Sequence, residues 1–184
     1  MIIENLIVDL SNDPFNPRLN FDVAVEYERL NQTASAVSFY LRCAEYGKDT
    51  ASDYVYASLL KLAKCFDDQN DRQHTVSNCL LQAIAYLPHR REGYFLMSRF
   101  HERLGNWQEC YTFAQIGLRQ HKMPDLPAFV EYYDEYCLRF EVAVSAYWIG
   151  RSDESLKIFR ELSYESISPE YENAVKSNLE RIGQ

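Results

Sequence analysis

The sequence predicts an all-α fold of antiparallel helix pairs repeated along the chain, on three observations. Glycine and proline number only 6 each in 184 residues, too few breakers for a many-turned sandwich or barrel. The chain is 47% hydrophobic and 25% charged, an ordinary globular balance that argues against disorder. Four segments then share one grammar: a helix with a small residue near its middle, a turn at Gly or Asn, and a second helix carrying small and aromatic residues in fixed places.

Segment 1–16 comes first. Ile3, Leu6, Ile7 and Leu10 fit a short helix closing one end, and Asn12 to Pro17 form the connection that follows. Residues 17–183 are expected to be a single repeat domain, with repeats near 17–50, 56–88, 91–121 and 136–166. In the first repeat Val23, Tyr27 and Leu30 fall on one helical stripe, and Asn31 sits where a left-handed helix-ending residue is wanted. Ala36, Tyr40 and Cys43 form the inner stripe of the partner helix. The second repeat is degraded: Leu62, Ala63, Phe66, Asn70, Val76, Leu80, Ala83 and Pro88. The third is the cleanest, running Tyr94, Met97, Ser98, His101, Gly105, Trp107, Cys110, Ala114 and Gly117. The fourth has Val142, Ala143, Ala146, Gly150, Ser155, Phe159 and Leu162. Between the last two, His121 to Pro127 carries two prolines and is expected to break the stack. A capping helix is expected over 168–183, with Ser168 as N-cap, Pro169 at the first helical position and Gly183 as its end.

Close packing explains the spacing. Two antiparallel helices approach closely only where the facing side chains are small; Ala24, Ala63, Ser98 and Ala143 supply one side, with Ala36, Cys110 and Ser155 on the other. This order of large, small, turn, small, aromatic and small residues resembles the tetratricopeptide repeat, although the starts at 17, 56, 91 and 136 are spaced wider than its ideal of roughly 34 residues. The resemblance implies a right-handed superhelix of about four helix pairs plus the C-terminal cap.

Several stretches resemble a narrower group: Asn16 to Phe21, Ala36 to Glu45, Gly93 to Phe100, Asn106 to Tyr111 and Phe140 to Gly150. They are similar to the tetratricopeptide region attached to glycosyltransferase-type proteins of tailed bacteriophages, especially those of cyanobacteria, and of some bacteria. That resemblance implies an association with sugar transfer but no catalysis here, because the catalytic domain of the larger members is absent. Where that group has Arg-Pro-Glu at the start of the third repeat, this chain has Arg90-Arg91-Glu92.

Composition and motifs narrow the function. The 19 Lys plus Arg against 27 Asp plus Glu give a net charge of −8, which argues against nucleic acid as a partner. The N-terminus has no basic region before a long apolar run, so neither a signal peptide nor a membrane span is expected, and the location expected is cytoplasmic, of a bacterial or host cell, or virion-associated. Cys43, Cys65, Cys79, Cys110 and Cys137 are widely spaced and odd in number, and read as small apolar helix residues. Asp67, Asp68 and Asp71 are the one acidic cluster that resembles a metal motif, and they read as a solvated turn. His101 takes an inward-packing position; His74, His89 and His121 fall near turns. No zinc, nucleophile-elbow or phosphate-loop motif occurs. No catalytic residue, metal ligand or cofactor is expected.

What remains is a surface. The first helix of each repeat would present Phe21, Val25, Lys61, Lys64, Phe95, Arg99, Phe140, Val144, Tyr147 and Trp148 along a groove. Aromatics interleaved with cations suit a protein or peptide partner that is acidic and has apolar anchors. The bland alternative pairs the cations with Asp22, Glu102 and Glu141. Tetratricopeptides that grip a C-terminal carboxylate use Lys and Asn side chains at these positions; Lys61, Lys64 and Arg99 are present here and the Asn partners are absent, which argues against that mode. The function expected is a non-catalytic interaction or adaptor module; a structural component of a virion or other assembly is the alternative, and an enzyme acting on sugar nucleotides a third reading.

Overall fold

The computed structural model describes residues 3–182 apart from Asp71. Among the described residues it has ten α-helices and no strand: α1 Ile3–Asn12, α2 Pro17–Arg29, α3 Thr33–Tyr46, α4 Ser52–Asp67, α5 Gln73–Tyr86, α6 Arg91–Arg103, α7 Trp107–Leu118, α8 Glu135–Trp148, α9 Ser152–Leu162 and α10 Pro169–Ile182. The expected helix pairs are α2/α3, α4/α5, α6/α7 and α8/α9, with α1 and α10 flanking them. None of these helices is long and apolar enough to cross a membrane. Two compact units emerge: Met1–Pro88 with Pro124–Val130, and His89–Met123 with Glu131–Gln184.

In the first unit α1 packs on α2, and α2 to α5 pack in chain order. Leu6 and Leu10 of α1 are buried with Val23, while Ile7 stays exposed. The start of α2 is set by Asn16, whose Oδ1 accepts from the Leu19 N–H at 3.1 Å, with Pro17 at the first helical position. Buried Asn20 donates to the Asn16 and Pro14 carbonyls and fixes the preceding turn. Asn31 and Asn70 end their helices at φ 57°, the left-handed conformation that Asn tolerates better than most residues. Leu30 lies at the helix end and is exposed, off the inner stripe the periodicity gave it.

The second unit likewise packs α6 to α10 in chain order. Gly105 and Gly150 make the left-handed turns at φ 71° and 81°. Arg91 stands where the resembling group has proline. Its Nε donates to the Gln120 carbonyl at 2.8 Å and its Nη1 lies 2.9 Å from Glu135, so a polar tie between α7 and α8 replaces a rigid ring. The prolines of 121–127 do not break the stack: α7 and α8 pack directly. The contact is close because Gly117 has no side chain; a Cβ there would come within 2.9 Å of Leu138 Cδ2 and Tyr94 Cβ. Ser168 does precede α10, but its buried hydroxyl makes no cap bond, and Gly183 lies outside the described residues.

The small residues behave as the packing argument requires. Ala24, Ala36, Ala63, Ser98, Cys110, Ala143 and Ser155 are all buried at helix crossings. Ala36→Leu in the first unit and Ala143→Phe in the second should therefore each overpack a crossing and cost roughly 1–3 kcal/mol. Chemical denaturation with a midpoint equal to the wild type for both variants would contradict this register.

Candidate interaction surface

The expected groove residues divide by depth. In the first unit Phe21 is only 1% exposed, edge-on to Tyr40 at 5.6 Å and Tyr54 at 5.4 Å. Val25 is half-buried against the same cluster. Lys61 is drawn down onto Glu28, 3.1 Å away, and Glu28 also accepts from the Tyr40 hydroxyl at 2.6 Å. Lys64 is half-buried on α4. Asp22 pairs weakly with Arg18 at 3.8 Å.

In the second unit Phe95 is 2% exposed and covered by Tyr132, 5.4 Å away. Phe140 packs between Phe159 and Tyr171 at 5.6 and 5.1 Å, and Val144 is buried with it. Phe21, Phe95, Phe140 and Val144 thus belong to the interior, a correction to the groove the repeat alignment gave. Single-repeat periodicity cannot show a side chain arriving from an irregular segment or a flanking helix, and Tyr132 and Tyr171 come from those.

Arg99 sits over a buried carboxylate. Its Nε lies 3.3 Å from Glu102 and 3.7 Å from Glu141, close to the bland alternative. Glu141, on α8, is fully buried, and Cys110 Sγ lies 3.8 Å from its Oε2. Oε1 has no hydrogen-bond donor. Burial pushes the Glu141 carboxyl up to about 8, the charge of Glu102 adds to the rise, and Arg99 opposes it. His101 is half-buried, stacked at 5.4 Å and 6° on Phe113, and burial lowers its pKa. Among the described residues no group of three or more His, Cys, Asp or Glu side chains is placed to hold a metal ion; Asp71 lies outside them.

Of the expected groove aromatics the one that faces solvent is Trp148, 51% exposed. Its ring stacks on Trp107 of α7 at 5.1 Å and 14°, and Tyr147 abuts it edge-on at 5.5 Å. Tyr111 lies on the same α7; the guanidinium of Arg151, which precedes α9, lies 4.8 Å from its ring, and Arg151 Nη1 donates to the Tyr111 hydroxyl at 2.8 Å. That hydroxyl donates to Glu154 at 2.9 Å. Trp107 was legible as a repeat position; its role as a stacking base was not, because the partner sits in the next repeat.

No family model and no curated protein matches the chain by sequence. Solved structures do match. A tetratricopeptide repeat protein from Parabacteroides merdae superposes with TM-score 0.72 at 15% identity, over 98% of this chain and 65% of that one. Pseudomonas aeruginosa pilF gives 0.69 at 8% identity, over 95% and 72%. YrrB, described as a tetratricopeptide protein with an unusual peptide-binding site, gives 0.65 at 12% identity, over 88% and 74%. These likenesses show that the chain has a tetratricopeptide-type fold.

Glu141 yields a pH prediction. Its carboxyl holds a proton in the folded state at pH values where the unfolded chain has lost it, because the folded pKa is raised from 4.5 to about 8. The associated stability is fully present below the unfolded pKa and is lost as pH rises through about 8. The melting temperature of wild type relative to Glu141→Gln should therefore fall steadily from mildly acidic to mildly alkaline pH. A difference that stays flat across that window would show Glu141 to be ionised in the fold throughout.

Proposed function

We propose, from a tetratricopeptide-type fold that holds a stacked, half-exposed tryptophan at its surface, that this chain is a non-catalytic protein-interaction module of a bacterium or phage. The observation that carries the reading is the Trp148 ring, half-exposed yet held by stacking on Trp107 and by Tyr147. A large aromatic fixed before binding loses little rotamer entropy on contact, and Trp is over-represented among residues that dominate interface energies. The partner is a protein or peptide with an apolar side chain to set against that ring. Preference for an acidic partner is weakened by the geometry, because Lys61 and Arg99 already face Glu28, Glu102 and Glu141. The link to glycosyl transfer rests on the sequence resemblance alone, and in this reading a glycosyltransferase is the partner rather than an activity of the chain. YrrB lends support by analogy, as a protein of the same fold whose description includes a peptide-binding site.

The test starts from a partner identified by affinity capture and then purified. Trp148→Ala should weaken its binding by about tenfold or more, roughly 1.4 kcal/mol, and Trp107→Ala should weaken it less, by freeing the Trp148 ring. Both variants should keep the wild-type helical signal. Affinity unchanged in both would remove the aromatic platform from the interface. Arg99→Glu is a poor probe here, since it would set a further carboxylate against buried Glu141.

A further inference from the structure

The connection between α7 and α8 is an extended strip with two faces. From 126 to 130 burial alternates: Leu126 and Ala128 are half-buried and Val130 is buried, while Pro127 and Phe129 are exposed, Phe129 by 55%. Leu126 and Ala128 pack against the first unit's cluster of Phe21, Ala24, Tyr40, Ala57, Leu62 and Cys65, and Pro124–Val130 belongs to that unit by its contacts. Period-2 burial is the signature of a strand-like peptide laid side-on along a surface. Pro124 and Pro127 fix their own φ and push Met123 and Leu126 toward extended backbone. At the exit Glu131 adopts φ 65°, a left-handed conformation that a non-glycine residue holds at a cost.

We propose that residues 126–130 are a resident ligand of the first unit. They cover a face that a partner's extended segment takes by displacing them, and that segment carries apolar side chains at alternate positions around a small one, in the pattern of Leu126, Ala128 and Val130. The inference rests on the interaction-module reading but places the contact on the first unit, whereas Trp148 belongs to the second. An internal occupant of matching chemistry lowers the apparent affinity of any outside peptide by the fraction of time the face is open. The face is therefore selective for partners that present the same alternation and bind it better.

The probe is a labelled synthetic peptide of residues 121–134, measured by fluorescence anisotropy against the whole chain. Leu126→Gly with Ala128→Gly weakens the resident contact and leaves the backbone length unchanged. This variant should bind the probe at least tenfold more tightly than wild type, and a probe carrying Asp at the positions of Leu126 and Ala128 should bind neither protein. A folded variant that binds both probes equally, or neither, overturns the proposal. Self-association of the variant without probe binding also overturns it, in favour of a second copy of the chain as occupant. If the variant does not fold, hydrogen exchange on wild type decides: excess probe should speed exchange of the amides of 125–130 relative to the Asp-bearing probe, and equal rates overturn the proposal. Trp148→Ala should leave each of these results unchanged, so a failure here is separable from a failure of the platform.

Discussion

Everything in this chain depends on how closely its helices can approach. Where Ala24, Ala36, Ala63, Ser98, Cys110, Ala143 and Ser155 meet a neighbouring helix, they are all buried, and at Gly117 even a methyl group would strike Leu138 and Tyr94 at 2.9 Å. Close crossings leave wedge-shaped spaces on either side, and the large residues fill them: Tyr40, Tyr56, Phe95 and Phe159 are among the most deeply buried side chains. The turns follow from the same demand. A second helix can return against the first at short range only if the chain reverses within a few residues, and the left-handed Asn31, Asn70, Gly105 and Gly150 do this.

That geometry decides the fate of the charges. Glu141 occupies a crossing where a small or apolar residue would pack, so its carboxyl loses water and gains the nearby charges of Arg99 and Arg103 and the Cys110 thiol in return. Such a group is weak evidence for stability; its raised pKa is the physical record of that imbalance. Arg90, 1% exposed, is better served, with Glu92 at 2.7 Å from its Nη2. Lys61 is hydrogen-bonded to Glu28 of its own unit, and Arg99 lies beside Glu102 and Glu141 of its own unit without a hydrogen bond from its Nε. The positive charges of Lys61 and Arg99 are thus each countered inside their own unit, though the sequence spacing of Lys61, Lys64 and Arg99 suggests a cationic strip.

The parts of the fold legible in the sequence are those set by neighbours within one repeat. Helix starts at Pro17, Arg91 and Pro169, the turn residues and the small-residue register all depend on contacts a few positions apart or on the paired helix, and each leaves a local mark. Depth on the first-helix face depends on distant segments. Phe95 reads as a groove position until Tyr132 covers it, and Phe140 until Tyr171 of α10 does. The path of 121–134 was least legible: its prolines announce an interruption, yet α7 and α8 close up without it. Alternation over Leu126, Ala128 and Val130 was present in the sequence, but a five-residue apolar alternation beside two prolines carries little weight without a surface to lie on.

The same reasoning explains why Trp148, rather than any first-helix phenylalanine, is left to face solvent. Side chains in the middle of a helix pair are surrounded by the next helix on one side and by capping or connecting segments on the other. A residue at the last turn of α8, beside the Gly150 reversal, has neighbours on one side alone. Stacking on Trp107 at 14° satisfies one ring face and leaves the other wet. The ring is too large to be hidden by a short turn and too well supported to fold away. Removing it from water on the open face would release apolar area at roughly 25 cal/mol per Å², with little ordering cost to offset the gain. Positions of this kind, fixed by packing yet half-uncovered by the end of a helix, are where a close-packed helical stack can offer binding energy without loosening its core.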